Sequence, residues 1–204
     1  LYANRLGFLS GWLPLSVRDV STGSYHIPSS GGSDFYWVKS AIANDKGSYP
    51  AGFGPAGLTV LMEPWIAPTN SYLIGPLGLL TSDTQTIGHF GLKLIQTGGV
   101  DNAGGNAESL PTSLVMNALS KVSVLAPDLT NARKFTVSIT PKNGYYKGSF
   151  TLSDKRVVRF EGALLQLLSP ATNDVFGRGY FIVPPPATPS GGTPLAGEVQ
   201  FTIP

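Results

Sequence analysis

The sequence predicts an all-β fold, an antiparallel meander closing into a barrel or into two packed sheets of about ten strands. The first ground is composition: 25 glycines and 17 prolines stand among 204 residues, too many for a helical bundle or coiled coil, whose interiors exclude both. The second is apolar content. Hydrophobic residues make up 42% of the chain and charged residues 13%, which rules out disorder and leaves material for a sizeable core. The third is alternation of polar and apolar residues with period two, broken at short intervals by turn residues.

The first half offers five strand candidates, residues 5–17, 35–41, 58–65, 72–80 and 87–96, separated by turn-rich runs such as Ser29-Ser30-Gly31-Gly32-Ser33-Asp34. Between Glu63 and Asp83 lie 19 residues without a charge, close to the length of a membrane span. Pro64, Pro68 and Pro76 break any helix there, so the expectation is apolar strands and no membrane anchor. Residues 97–111 read as an exposed loop, and 114–125 fit a short helix or a strand equally.

The C-terminal third is the most regular. Residues 134–140 alternate in period two, and Pro141-Lys142-Asn143-Gly144 follows, Asn-Gly being a source of positive φ in tight hairpin turns. Residues 146–152 run back, and Ser153-Asp154-Lys155 turns again. A longer strand spans 157–168, with Gly162 marking a bulge or a close approach. Strands 179–183 and 197–203 complete a five-strand meander, with a Pro/Gly-rich surface loop at 184–194 between them. The chain is read as a single β-rich unit, residues 1–204: a less regular half 1–96, the loop 97–111 and the meander 133–203.

There is no cysteine, hence no disulfide framework, thiol nucleophile or thiolate metal site. The first methionine is Met62, and the chain is expected to be a processed product or a piece of a longer protein.

Several segments share a pattern: Phe135-Thr136-Val137-Ser138-Ile139-Thr140-Pro141-Lys142-Asn143-Gly144 with Gly148-Ser149-Phe150, then Phe160-Glu161-Gly162-Ala163-Leu164-Leu165-Gln166. Gly177-Arg178-Gly179-Tyr180-Phe181 and Gly197-Glu198-Val199 follow. Near the start stand Leu1-Tyr2, Gly11-Trp12-Leu13, Trp37-Val38-Lys39 and Tyr49-Pro50-Ala51-Gly52-Phe53. The pattern resembles a β-rich module near the ends of long exported proteins of Gram-negative bacteria. It covers residues 1–53 and 131–203, and its motifs are glycines and aromatics of structural character. The resemblance implies an extracellular or cell-surface module and brings no site residues with it.

Motifs with chemical meaning are weak. Gly52-Phe53-Gly54-Pro55-Ala56-Gly57 matches a dinucleotide fingerprint, but Pro50 and Pro55 and the strand-like run after it oppose the strand-turn-helix context that phosphate binding needs. His26 and His89 are the only histidines, without the partners that a zinc site or nucleophilic triad requires. Glu63 with Glu161 is a bare pairing for a glycosidase. Asp101, Asn102 and Asn106 lack the order of a calcium loop. The expectation is therefore a non-enzymatic protein with no cofactor and no metal.

Two features stand out. Residues 133–159 carry seven basic side chains, Arg133, Lys134, Lys142, Lys147, Lys155, Arg156 and Arg159, against the single acid Asp154. They form a candidate interaction patch for an acidic polymer or an acidic neighbour. Phe35-Tyr36-Trp37, with Trp65, offers aromatic faces for core packing and for a glycan or subunit contact, Tyr36, Trp37 and Trp65 being the candidates. The function expected is that of an extracellular structural or interaction module, part of a larger surface protein or of a self-assembling filament or layer. Its alternative is a carbohydrate-binding module. Expected partners are copies of itself, other domains of a longer surface protein, or an acidic or neutral polysaccharide, and not nucleic acid.

Overall fold

A computed structural model of the chain describes residues 7–12, 15–19, 24–26, 34–41, 51–58, 64–70, 73–74, 77, 79, 87–95, 113–124, 133–152, 154–166, 175–183 and 195–203. Among these residues the chain is all β, with no helix, and so none long and apolar enough to cross a membrane. The strands are β1 (Gly7–Trp12), β2 (Ser16–Asp19), β3 (Ser24–His26), β4 (Asp34–Lys39), β5 (Phe53–Leu58), β6 (Ile87–Ile95), β7 (Ser113–Asn117), β8 (Val122–Val124), β9 (Thr136–Thr140), β10 (Tyr145–Thr151), β11 (Val157–Leu164), β12 (Val175–Val183) and β13 (Leu195–Thr202).

The chain divides into two compact units, Leu1–Pro64 and Trp65–Pro204, where composition had pointed to one. The division follows the hydrogen bonding, because β6 to β13 ladder only with one another while β1 to β5 make sheets of their own. In the first unit β4 lies between β1 and β5, and β2 pairs with β3.

The second unit holds an eight-stranded sheet in the order β8-β7-β6-β13-β12-β11-β10-β9, antiparallel throughout. The edge strands β8 and β9 come within 8 Å of each other, so the sheet curls into a nearly closed up-and-down barrel. Around that ring each strand neighbours the next in sequence, and β13 returns to β6.

Alternation decides what faces inward. Phe90, Leu92, Leu94, Leu114, Met116, Tyr146, Phe150, Val158, Phe160, Phe176, Phe181, Val199 and Phe201 are buried and fill the barrel, each apolar side chain contributing about 1.5–3 kcal/mol on burial. Phe90 meets Phe176 and Phe201 edge-on at 5.5 and 5.3 Å, and Tyr146 lies 4.5 Å from Phe201. So many rings fit because glycines face them. A Cβ on Gly162 would lie 2.3 Å from the Arg178 carbonyl and 2.5 Å from the Tyr146 ring, and one on Gly148 would lie 2.2 Å from the Phe160 ring. Gly162 is thus the close approach that the sequence allowed.

The hairpin read at residues 134–152 is present, with Phe135 buried and Val137 and Ile139 half-buried on the same side. Its turn differs in detail. Four residues, Pro141 to Gly144, form it, and only Gly144 has positive φ, at 69°. A four-residue loop suits Pro141, whose ring fixes a negative φ that a two-residue turn of positive angles forbids. Residues 114–125 resolve into a hairpin, β7 and β8, because Asn117 Oδ1 accepts from the amides of Leu119 and Lys121 at 3.0 Å each. The described part of 72–80 forms turns where a strand was expected: Leu77 N donates to Leu73 O and Leu79 N to Ile74 O. Leu73, Ile74, Leu77 and Leu79 are all buried in the core. The run also crowds Gly88 of β6, where a Cβ would lie 2.8 Å from Leu79. The loops expected at 97–111 and 184–194 lie outside the described residues.

Candidate functional site

Where glycines and rings face inward, the residues between them face out, and on β9–β12 these build an open groove of about 650 Å³. The register sets its rows. Lys147 stands opposite Ser138 and Glu161, and Glu161 opposite Tyr180. In the next row Ser149 stands opposite Thr136 and Arg159, and Arg159 opposite Ile182. Gly148, Val137 and Phe160 line the space between the rows.

Glu161 organises the first row. Tyr145, diagonal to it, donates its hydroxyl to Oε2 at 2.5 Å, and Tyr180 donates to Oε1. These two bonds, Tyr145's first and Tyr180's second, hold the Glu161 carboxyl below its usual range, with a smaller contribution from Lys147. The same bond pushes Tyr180 up to about 12 and raises Tyr145. Both carboxylate oxygens are therefore engaged, and both phenols are held in place. In the second row the hydroxyls of Thr136 and Ser149 lie 3.1 Å apart. Beside the groove Arg178 pairs with Glu198 at 2.7 Å.

The seven basic residues do not make one patch. Lys147 and Arg159 line the groove. Arg133, Lys134, Lys155 and Arg156 gather at one end of the strands, where Thr151 N donates to Arg133 O and Leu152 N to Arg156 O. Arg156 pairs there with Asp154 at 2.6 Å. Lys142 sits at the opposite end, in the β9–β10 turn, exposed. The acid that matters most to the groove, Glu161, falls two residues beyond the window in which charge was counted.

Trp65 serves the hairpin. Its Nε1 donates to the Pro141 carbonyl at 3.0 Å, and its ring lies where a Cβ on Gly144 would come within 2.7 Å. Next to it Gln166, buried, exchanges two bonds with the Ile66 backbone, 2.7 and 2.8 Å. Tyr36 is exposed on β4 and Trp37 half-buried. Trp12, on β1, is 85% exposed and shares a face with Tyr36 by register. The glycine-rich run at 52–57 is largely strand β5, so no helix opens within it to hold a phosphate. Glu63, Asp101, Asn102 and Asn106 lie outside the described residues. His26 lies on β3, and His89 is half-buried on β6.

The groove residues missed in the sequence are Tyr145, Tyr180, Thr136, Ser138, Ser149 and Ile182. A signal for one of them existed: if Gly162 and Gly179 face inward under a ring, their neighbours Glu161 and Tyr180 must face outward, side by side, which places Tyr180 beside Glu161. Comparison with known proteins gives no match to a family model, to a curated protein or to a solved structure.

Proposed function

We propose that the chain is a non-enzymatic interaction module of an exported or surface protein, a rigid barrel that presents a fixed groove to another molecule. The observation that carries this reading is the engagement of Glu161. With both oxygens accepting from phenols and its carboxyl held below the usual range, it is a poor proton donor or acceptor near neutrality. It positions two aromatic side chains instead. A transmembrane barrel has an apolar outer band and a polar interior. This barrel is packed with aromatic rings and carries Lys147, Arg159, Glu161, Arg178 and Glu198 on its outer wall, which supports a water-exposed setting. The resemblance of its glycine and aromatic motifs to exported modules supports an extracellular one. Leu9, Trp12, Leu15 and Tyr36 of the first unit are exposed, which favours self-association or burial against neighbouring domains.

The test is sedimentation velocity with electron microscopy of the purified chain over a range of concentrations. Assemblies that grow with concentration and weaken in a Trp12→Ser, Tyr36→Ser variant are expected. A monomer under all conditions, together with substrate turnover that Glu161→Gln abolishes, would overturn the reading.

A further inference from the structure

We propose that the groove on β9–β12 binds an anionic polysaccharide, one whose sugars carry carboxylate or sulfate groups. The proposal rests on the interaction-module reading and names what its groove takes. The lining holds Lys147, Arg159 and Glu161, and the three are not equivalent. Glu161 is already satisfied by two phenols and faces Lys147. Arg159 stands exposed in the other row, and no ion pair joins it to another described residue. Its guanidinium presents a planar fork of donors suited to carboxylate or sulfate oxygens. The charge left for a ligand is positive.

The neutral groups match a sugar. Thr136, Ser138 and Ser149 supply hydroxyls that both donate and accept. The Tyr145 and Tyr180 oxygens donate to Glu161 and keep lone pairs to accept from sugar hydroxyls. Tyr180, 51% exposed, and Ile182, 38% exposed, offer apolar surface for the C–H face of a ring. The rows lie two residues apart along the strands, about 7 Å. A chain running along the strands therefore meets Arg159, Ser149 and Thr136 in one row, then Lys147 and Ser138 in the next.

An acidic peptide fits less well. β10 and β11 are paired on both sides, so their backbone groups are consumed in the ladders. The groove floor on these two strands has no free edge for an added peptide strand, and β9, the edge strand beside them, has β8 within 8 Å on its other side. All the recognition available comes from side chains, as a hydroxyl-rich ligand requires.

The experiment is titration of the whole chain with polygalacturonate, heparin and neutral dextran at low and moderate salt. Binding is expected for one or both polyanions and not for dextran, weakening as salt rises. Preference for polygalacturonate identifies carboxylate recognition, and preference for heparin identifies sulfate. Arg159→Gln and Lys147→Gln are each expected to weaken binding by about tenfold or more, with unchanged circular dichroism and melting. Lys142→Gln and Lys155→Gln, which alter charges outside the groove, are expected to leave it within about twofold. Equal binding by all four variants, equal binding of dextran, or no polyanion binding at low salt overturns the proposal. If polyanion binding is missing while concentration-dependent assembly persists, the ligand class fails and the interaction-module reading stands. If Arg159→Gln abolishes self-association instead, the groove belongs to a protein contact.

Discussion

The two units use the same residue types in opposite ways. In the barrel, glycines lie under aromatic rings: Gly148 under Phe160, Gly162 and Gly179 under Tyr146, Gly177 beside Phe201. In the three-stranded sheet of the first unit, a Cβ on Gly54 or Gly57 would meet nothing within 4 Å among the described residues, and Trp12 and Leu9 are exposed. A glycine costs backbone entropy wherever it stands. In the barrel that cost is offset by the ring it admits; in the first unit no ring is admitted by those glycines. Gly-aromatic richness is therefore a packing device in one place and a surface property in the other, and composition alone does not tell them apart.

The sharpest way to break the comparison is Gly162→Val. The new side chain meets the Arg178 carbonyl and the Tyr146 ring, both well inside contact distance. Chemical denaturation should show a loss of about 3 kcal/mol or more, or no folded barrel. A loss below about 1 kcal/mol would mean that the ring yields, and that the glycine is a convenience.

Gly144→Val comes next. It places a β-branched residue at φ 69° and presses on Trp65. Together these should cost about 1–3 kcal/mol, with loss of the native Trp65 fluorescence environment. A variant as stable as the parent would show that the turn readjusts.

The outer wall supplies a smaller, pH-dependent effect. Tyr180, pushed up to about 12 from an ordinary 10.0 mainly by its bond to Glu161, favours the neutral phenol in the folded state. Its contribution to stability is therefore complete below pH 10 and lost as pH rises from 10 towards 12. The melting difference between the parent and Tyr180→Phe should shrink across that window. Glu161, held below 4.5 chiefly by the Tyr145 bond, behaves in the opposite sense: its contribution is present above pH 4.5 and disappears as pH falls through the depressed folded value. A pH-independent difference would show that the clamp does not form in solution.

Two near-silent changes complete the comparison. Tyr146→Phe removes a buried hydroxyl that has no hydrogen-bond partner among the described residues, and whose burial raises its pKa. Stability should stay level or rise slightly, since nothing is left unsatisfied. Gly57→Ala, entering open space on β5, should change stability by at most about 0.5 kcal/mol in either direction.

What the sequence made legible was local. Alternation at 134–140 and the Asn143-Gly144 turn located β9 and β10, because both signals are contained within a few residues. Gly162 was legible as a place of close approach, though not what approached it. The region 72–80 misled because an apolar run bears the same look whether it pairs as a strand or, with Pro76 inside it, turns and packs its leucines in the core. The groove was hidden because Tyr145, Glu161 and Tyr180 are brought together by two strand registers, and register depends on the whole barrel. The basic count at 133–159 treated chain proximity as surface proximity, yet successive residues of a strand face opposite ways and turns lie at opposite ends.

The ring order of the barrel has a consequence in time. Every other ladder of the barrel joins strands that follow one another in the chain, but one side of β6 must wait for β13, the Leu92–Phe201 and Leu94–Val199 pairings spanning more than a hundred residues. Until then Phe90, Tyr146 and Phe176 lack the Phe201 ring against which they pack. Such a long-range pairing pays its loop-closure entropy last. On the ribosome the nascent barrel should therefore stay open and protease-sensitive until β13 has emerged.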